Sequence, residues 1–399
     1  MIGEIPDNAP LVAAMDDTLF KKTGKKAYGV AYRRDPLGPH FHTNFILGQR
    51  FVQISAALCQ QLVETPAKMV PVLLKHAPTP QKPKKSAPEN EWKEYNRQKK
   101  VTNLSKIGLQ AIGHIRAEMD SRDHLKNRPL VISVDGSYTN ETILKNLPIH
   151  TVLIGRIRKD AKLHYLPDQS LRRGRKKKYG EPAQTPDEIR RDDTIPYQTI
   201  PAFAAGKIHH FRIKTIGPLR WRKAGGDQNL RLVIIAPLAY RLTKSSRLLY
   251  RQPAYLICTD PDLPIEKLLQ FYLWRWGIEV NFRDQKTILG TGQAQVRNKA
   301  AVENIPALIT AAYATLLIAA KRTFGQQDSY DNYLPPPKWH NARKNQLSTQ
   351  KIINHLKTEL WGASLGLRNF SHFVDKNAFK RTHRNWRPNI ASAVLYANQ

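Results

Sequence analysis

The amino-acid sequence predicts an α/β fold, on three observations. Two apolar runs, PLVAAM (10–15) and PLVISV (129–134), have the length and composition of buried strands, and each runs straight into an aspartate, Asp16 and Asp135. Helical periodicity lies between and after them, along 101–119 and again from Pro264. From about 160 to 262 the chain turns instead to strand-like pieces, HHFRIKTI, LRLVIIAPLAY and PAYLICTD.

The elements follow in order. After PLVAAM, two more strands are expected around KKAYGVAYR and HTNFILGQRFVQIS, with turn residues between them. Residues 76–95, rich in Pro and Lys, read as an exposed connector. Val101, Leu104, Ile107 or Leu109, Ile112, Ile115 and Met119 then share one helical face. Beyond PLVISV, the segment NETILKNLP forms a short helix capped by Asn140, and HTVLIGRIR (150–158) another strand. The order β-β-β-α-β-α-β is that of a ribonuclease-H-like domain. In that fold the first and fourth strands are neighbours, so Asp16 and Asp135 would meet at their carboxyl ends, an expectation by fold analogy. A basic loop leads into the β-rich stretch, which is read as an insertion. A strong helix begins near Pro264. The apolar run 305–320 is short for a membrane span and includes Thr310, Tyr313 and Thr315, so it is read as a buried helix. Helical pattern returns at STQKIINHLKTEL within a basic tail. The expected divisions are 1–160, the first part of the catalytic domain; 161–262, the insertion; 263–325, its later helices; and 326–399, a basic helical region.

Charge narrows the function. The 399 residues carry 64 Lys and Arg against 32 Asp and Glu, a net charge of +32, which implies a polyanionic partner. A hydrophobic fraction of 41% is enough for a real core, unlike that of most short basic binders. No basic amphipathic helix points to a membrane surface. The two cysteines, Cys59 and Cys258, are too few and too far apart for a disulfide framework or a zinc finger. The first residues, MIGEIPDNAP, lack the pattern of a secretory signal, so a cytoplasmic, nucleoid-associated protein is expected.

The segment from Tyr272 to Lys286 is the most informative. At about 100° per residue, Arg275, Glu279 and Lys286 all fall within about 60° of Tyr272 on a helix. A carboxylate flanked by two cations and a tyrosine suits a face that holds a metal ion and grips phosphates. A salt-bridged solvent face would show the same Arg275–Glu279 spacing.

This spacing, Y-(2)-R-(3)-E-(6)-K within FYLWRWGIEVNFRDQKTILG, resembles the YREK signature of a large group of bacterial insertion-sequence DDE transposases. The MDDT and VISVDGSYTN segments are similar to that group's first and second aspartate motifs, and the long gap between Asp135 and Glu279 has room for the β-rich insertion such enzymes carry. The resemblance runs from about residue 10 to 300. It implies that Asp16, Asp135 and Glu279 bind two Mg²⁺ ions, with Mn²⁺ able to substitute, and that Tyr272, Arg275 and Lys286 hold DNA phosphates. It further implies a homodimer acting on double-stranded DNA, both element ends and target, with cleavage and strand transfer by two-metal-ion chemistry. Only fifteen residues precede Asp16, where the group usually carries a DNA-binding domain. The alternative is therefore a truncated or inactive remnant that only binds DNA.

Several assignments stay open on sequence. Asp16 and Asp17 would point to opposite faces of a strand; the group's pattern favours Asp16. Asp135 precedes Gly136 and could be an ordinary turn aspartate. Asp160 ranks behind it as second aspartate, since it would leave the VDG and DDT motifs without a role. The Lys/Arg run at 172, 173 and 175–178 is either a DNA contact or a solvated charge run. Trp221 is either a base-stacking or a sheet residue. His209 and His210 alternate faces and make no metal pair. Trp274 and Trp276 are read as packing residues.

Overall fold

The computed structural model describes residues 9–35, 38–39, 41–58, 67–168, 176–243, 245–324 and 348–364. Residues 1–311 form one compact unit and 312–399 a second, the division falling inside a helix. Cys59, positions 172–175 of the basic run and most of the basic tail lie outside the described residues.

The first unit is built on an eleven-stranded mixed sheet. Its first half comprises β1 (Leu11–Lys21), β2 (Ala31–Arg34), β3 (Phe45–Leu58) and β4 (Lys68–His76), then α1 (Glu89–Val101) and α2 (Leu104–Asp120), then β5 (Leu130–Val134), α3 (Glu141–Leu144) and β6 (Thr151–Arg156). In this half β1 pairs antiparallel with β3 and parallel with β5, β5 pairs parallel with β6, and β4 pairs antiparallel with β3. β5 is buried along its whole length, as a central strand covered on both faces must be. Each of its large apolar side chains contributes roughly 1.5–3 kcal/mol by leaving water.

The second half comprises β7 (His164–Tyr165), α4 (Pro186–Arg191), β8 (Gln198–Ala204), β9 (Lys207–Arg220), β10 (Leu230–Ile235), the hairpin β11 (Ala239–Tyr240) and β12 (Leu249–Tyr250), and β13 (Ala254–Cys258). Apart from the hairpin, these strands extend the same sheet in the order β6-β13-β10-β9-β7, with Cys258 opposite Ile154. The stretch 161–262 is β-rich as expected, but it continues the central sheet rather than standing apart, because its apolar strands complete the hydrogen bonding of the β6 edge.

Helices α5 (Ile265–Trp274) and α6 (Trp276–Thr287) cover one face. Leu268, Leu269, Phe271, Trp274, Ile278 and Phe282 pack there with residues of β1, β5, β10 and β13. Helix α2 belongs to the other face, where Gly108 lets the backbone come so near the Tyr138 ring that a Cβ would sit 2.9 Å from it. Asn103 caps α2 by accepting from the Ser105 N–H, and Asn140 caps α3 from Ile143, as its position predicted.

Three elements depart from expectation. β4 carries no clear strand signal in the sequence, because its Lys68, Pro71 and Lys75 break the alternation. The connector 76–95 gives way to α1 at Glu89, a helix with no buried residue, held by pairs such as Lys93–Glu89 and Arg97–Glu94 rather than by packing. The apolar helix is longer than expected, α7 (Lys299–Phe324), and one stripe of it is buried while Leu308 is 70% exposed. By length and composition alone it could cross a membrane, a test that core helices also pass. In the second unit the described residues are the end of α7 and α8 (Thr349–Ser364), where the Tyr313 and Thr349 hydroxyls meet at 3.2 Å. α8 contains the predicted helical segment.

Candidate active site

The site is assembled by β1 and β5. Their register ends with Met15 opposite Val134, so the next residues, Asp16 and Asp135, are neighbours. Asp135 follows the end of β5, whereas Asp16 lies inside β1, which runs on to Lys21 against β3 rather than ending at the aspartate as expected. Alternation along β1 then separates the two adjacent aspartates. Asp17 takes the Arg50 guanidinium at 2.5 Å and the Tyr138 hydroxyl at 3.0 Å. Asp16 takes Nη1 of Arg275 at 3.0 Å, with both side chains largely buried. Burial raises Asp16 first, then the charge of Asp135; Arg275 and the Asp17 N–H oppose this, Glu279 adds to it, and the carboxyl is pushed up to about 7. Asp16 thus sits largely buried beside Arg275, with the charges of Asp135 and Glu279 acting on it.

Asp135 also does the local work of a turn aspartate. Its carboxylate accepts the Ser137 N–H at 2.9 Å and the Ser137 hydroxyl at 3.2 Å, while its carbonyl accepts the Thr139 hydroxyl. The two readings coexist: the turn fixes the carboxylate at the strand end.

The helix expected to carry Tyr272, Arg275, Glu279 and Lys286 is two helices meeting at Arg275. The turn tightens there, with Arg275 N–H to Tyr272 and Ile278 N–H to Arg275, both i to i+3 bonds. Arg275 keeps right-handed helical angles (φ −50°, ψ −34°), so the chain bends without losing the stripe. Its guanidinium lies 5.9 Å from the centre of the Tyr272 ring. Glu279 is half-buried. Lys286 is exposed, yet partial desolvation of its ammonium lowers its pKa while Glu279 and Asp17 pull it up. Trp274 is buried as predicted, whereas Trp276 is 68% exposed and is no packing residue: it stands on the outer side of the helix joint.

The α6 helix is pinned by contacts that the sequence did not signal. Gly277 lies against Met69 of β4, where a Cβ would clash at 2.3 Å. The fully buried Gln285 donates to Gln53 Oε1 at 2.9 Å and to the Thr310 hydroxyl at 3.3 Å, and Asn281 donates to the Met69 carbonyl at 3.0 Å. Gln285→Leu should cost roughly 1–3 kcal/mol in chemical denaturation, because Gln53 is left with an unmet acceptor. Adding Gln53→Leu should recover part of that loss, and strict additivity of the two would show that the amides are not coupled.

Other sequence candidates lie elsewhere. Asp160 is exposed and bound to Arg158 at 2.8 and 2.9 Å, away from the carboxylate group. Trp221 is half-buried and heads a turn, its carbonyl accepting the Ala224 and Gly225 N–H groups. His209 and His210 lie on β9 opposite Ala202 and Pro201 of β8. Among the described residues no three His, Cys, Asp or Glu side chains stand close enough to hold one ion together. Here Arg275 supplies the positive charge beside Asp16. No protein-family profile matches the chain, and no curated protein matches it.

Proposed function

We propose that the chain is a DNA transposase that cuts and joins phosphodiesters at the ends of an insertion sequence, with Asp16, Asp135 and Glu279 as its catalytic carboxylates. The observation that carries the proposal is the parallel β1–β5 pair, which sets Asp16 beside Asp135 with Arg275 and Glu279 over them. The strand order β4-β3-β1-β5-β6, with β3 alone reversed, supports a ribonuclease-H-like reading of this half of the sheet.

The candidate ligands are carboxylate oxygens, the hard donors that magnesium prefers. Burial raises Asp16 first and the charges of Asp135 and Glu279 add to it, a cost that a bound divalent cation would relieve. Bound to these carboxylates, Mg²⁺ would acidify an attacking water or 3′-hydroxyl and neutralise the leaving oxygen. The protein's own groups do the rest. Arg275 would turn from Asp16 to a phosphate next to the scissile bond, with Tyr272 supporting its guanidinium. Lys286, its ammonium already partly desolvated, would take a second phosphate. The Ser137 bonds keep Asp135 from rotating away.

The test is incubation of the purified chain with Mg²⁺ and DNA from both flanks of its own gene, beside Asp135→Asn and Glu279→Gln. Cleavage at a defined terminal sequence with strand-transfer products is expected from the parent alone, each variant losing at least 10²–10³-fold, as for a lost transition-state charge contact. Equal DNA binding by all three with no cutting would instead identify a remnant that only binds DNA.

A further inference from the structure

A cleft of about 1890 Å³ opens beside the candidate site, starting at Gly136 and Thr139, just past Asp135. It runs between the segment joining β6 to β7, helix α4, and the turn joining β9 to β10. Its charges are sorted. The acidic side chains on its walls are already committed: Glu141 to Lys145, Asp160 to Arg158, and Asp187 to Arg190, Arg191 and the Tyr255 hydroxyl. Five of its cations have no carboxylate partner among the described residues. Arg156, Lys159 and Lys162 follow one another at intervals of three along one wall, and Arg222 and Lys223 stand on the β9–β10 turn.

An ordinary solvated face looks different. On α1 the cations Lys93 and Arg97 are paired with Glu89 and Glu94, on a helix with no buried residue. Five unpaired cations in one concavity repel one another at a cost that an anion with several charges removes. The backbone segments between the cations, at Ile157 and Ala161, are buried, so the charged groups are carried on a fixed wall.

We propose that this cleft is a groove for the phosphate backbone of DNA, separate from the carboxylates, in which Arg156, Lys159, Lys162, Arg222 and Lys223 take successive phosphates. For its ligand this rests on the DNA reading above. It adds a place for the strand beyond the cut and a grip that needs no metal.

The experiment is fluorescence anisotropy of a labelled duplex of arbitrary sequence, in EDTA, over a salt series. The parent chain is compared with a triple variant, Arg156→Gln, Lys159→Gln and Lys162→Gln, and with a control of the same charge change on α1, Lys93→Gln, Lys99→Gln and Lys100→Gln. The cleft variant should bind about ten-fold or more weakly, with a salt slope flatter by about 2.7, since each of the three lost phosphate contacts contributes roughly 0.9. The control should stay within about two-fold of the parent. Equal losses in both variants, or an unchanged slope in the cleft variant, would overturn the proposal. All six positions are exposed side chains, so folding is not at stake, and circular dichroism checks it. Cleavage plays no part in this assay. A chain that binds through the cleft and never cuts would sink the transposase reading alone, whereas a chain that cuts with an unchanged slope would sink the groove alone.

Discussion

Asp16→Asn should abolish DNA cutting and at the same time make the metal-free protein more stable above neutral pH. The sign follows from the direction of the shift. Asp16 is raised from 3.8 to about 7 in the folded chain, so between those values the folded state holds a proton that the unfolded state has lost. Stability attached to this group is full below about pH 4 and drains away as pH rises to 7. A shift of this size corresponds to at most about 4 kcal/mol, and retained contact with Arg275 reduces what the variant can recover. Melting temperature measured in EDTA from pH 4 to 8 should fall more steeply for the parent than for Asp16→Asn, and Mg²⁺ should raise it for the parent only. Asp17→Asn should behave in the opposite way, losing stability at neutral pH because Arg50 and Tyr138 lose their carboxylate. Were Asp17→Asn the stabilised, Mg²⁺-blind variant, the assignment of the first catalytic aspartate would be reversed.

Lys214→Met should be among the most destabilising single changes in the first unit. This lysine, 1% exposed, spends its three donors on the carbonyls of Ile189, Arg190 and Asp192, at 3.0, 3.1 and 2.6 Å, and lies 4.4 Å from the centre of the Tyr197 ring. It therefore closes the carboxyl end of α4, where the last carbonyls have no helical partner. Methionine fills the space but leaves those carbonyls only their second donors, the Asp192 N–H, the Tyr197 hydroxyl and the Ile195 N–H, at a cost of roughly 1–3 kcal/mol. Urea denaturation followed by tryptophan fluorescence reads the loss. A change below about 1 kcal/mol would mean that water satisfies the carbonyls as well as the ammonium does. Because α4 carries Arg190 and Arg191 on the cleft wall, the same variant should also weaken DNA binding.

Some of this organisation is local, and the sequence displayed it. A run that is apolar throughout announces a central position, so the first half of β1, all of β5 and the aspartate that follows each run were legible. Asn140 caps α3 because a side-chain acceptor three residues ahead of a free N–H needs nothing from the rest of the chain. The spacing of Tyr272, Arg275, Glu279 and Lys286 was legible for the same reason. What remained hidden depends on partners distant in sequence. Whether Asp16 or Asp17 faces Glu279 is decided by which side of β1 the helices α5 and α6 cover. β4 reads as a loop until β3 supplies its hydrogen bonds, and the β-rich stretch reads as separate until β13 meets β6. Lys214, like Gln285, reads as a surface residue. Only the folded chain brings the carbonyls and amides that make its burial favourable, because a buried polar group is stable where its partners are, and no local pattern specifies that place.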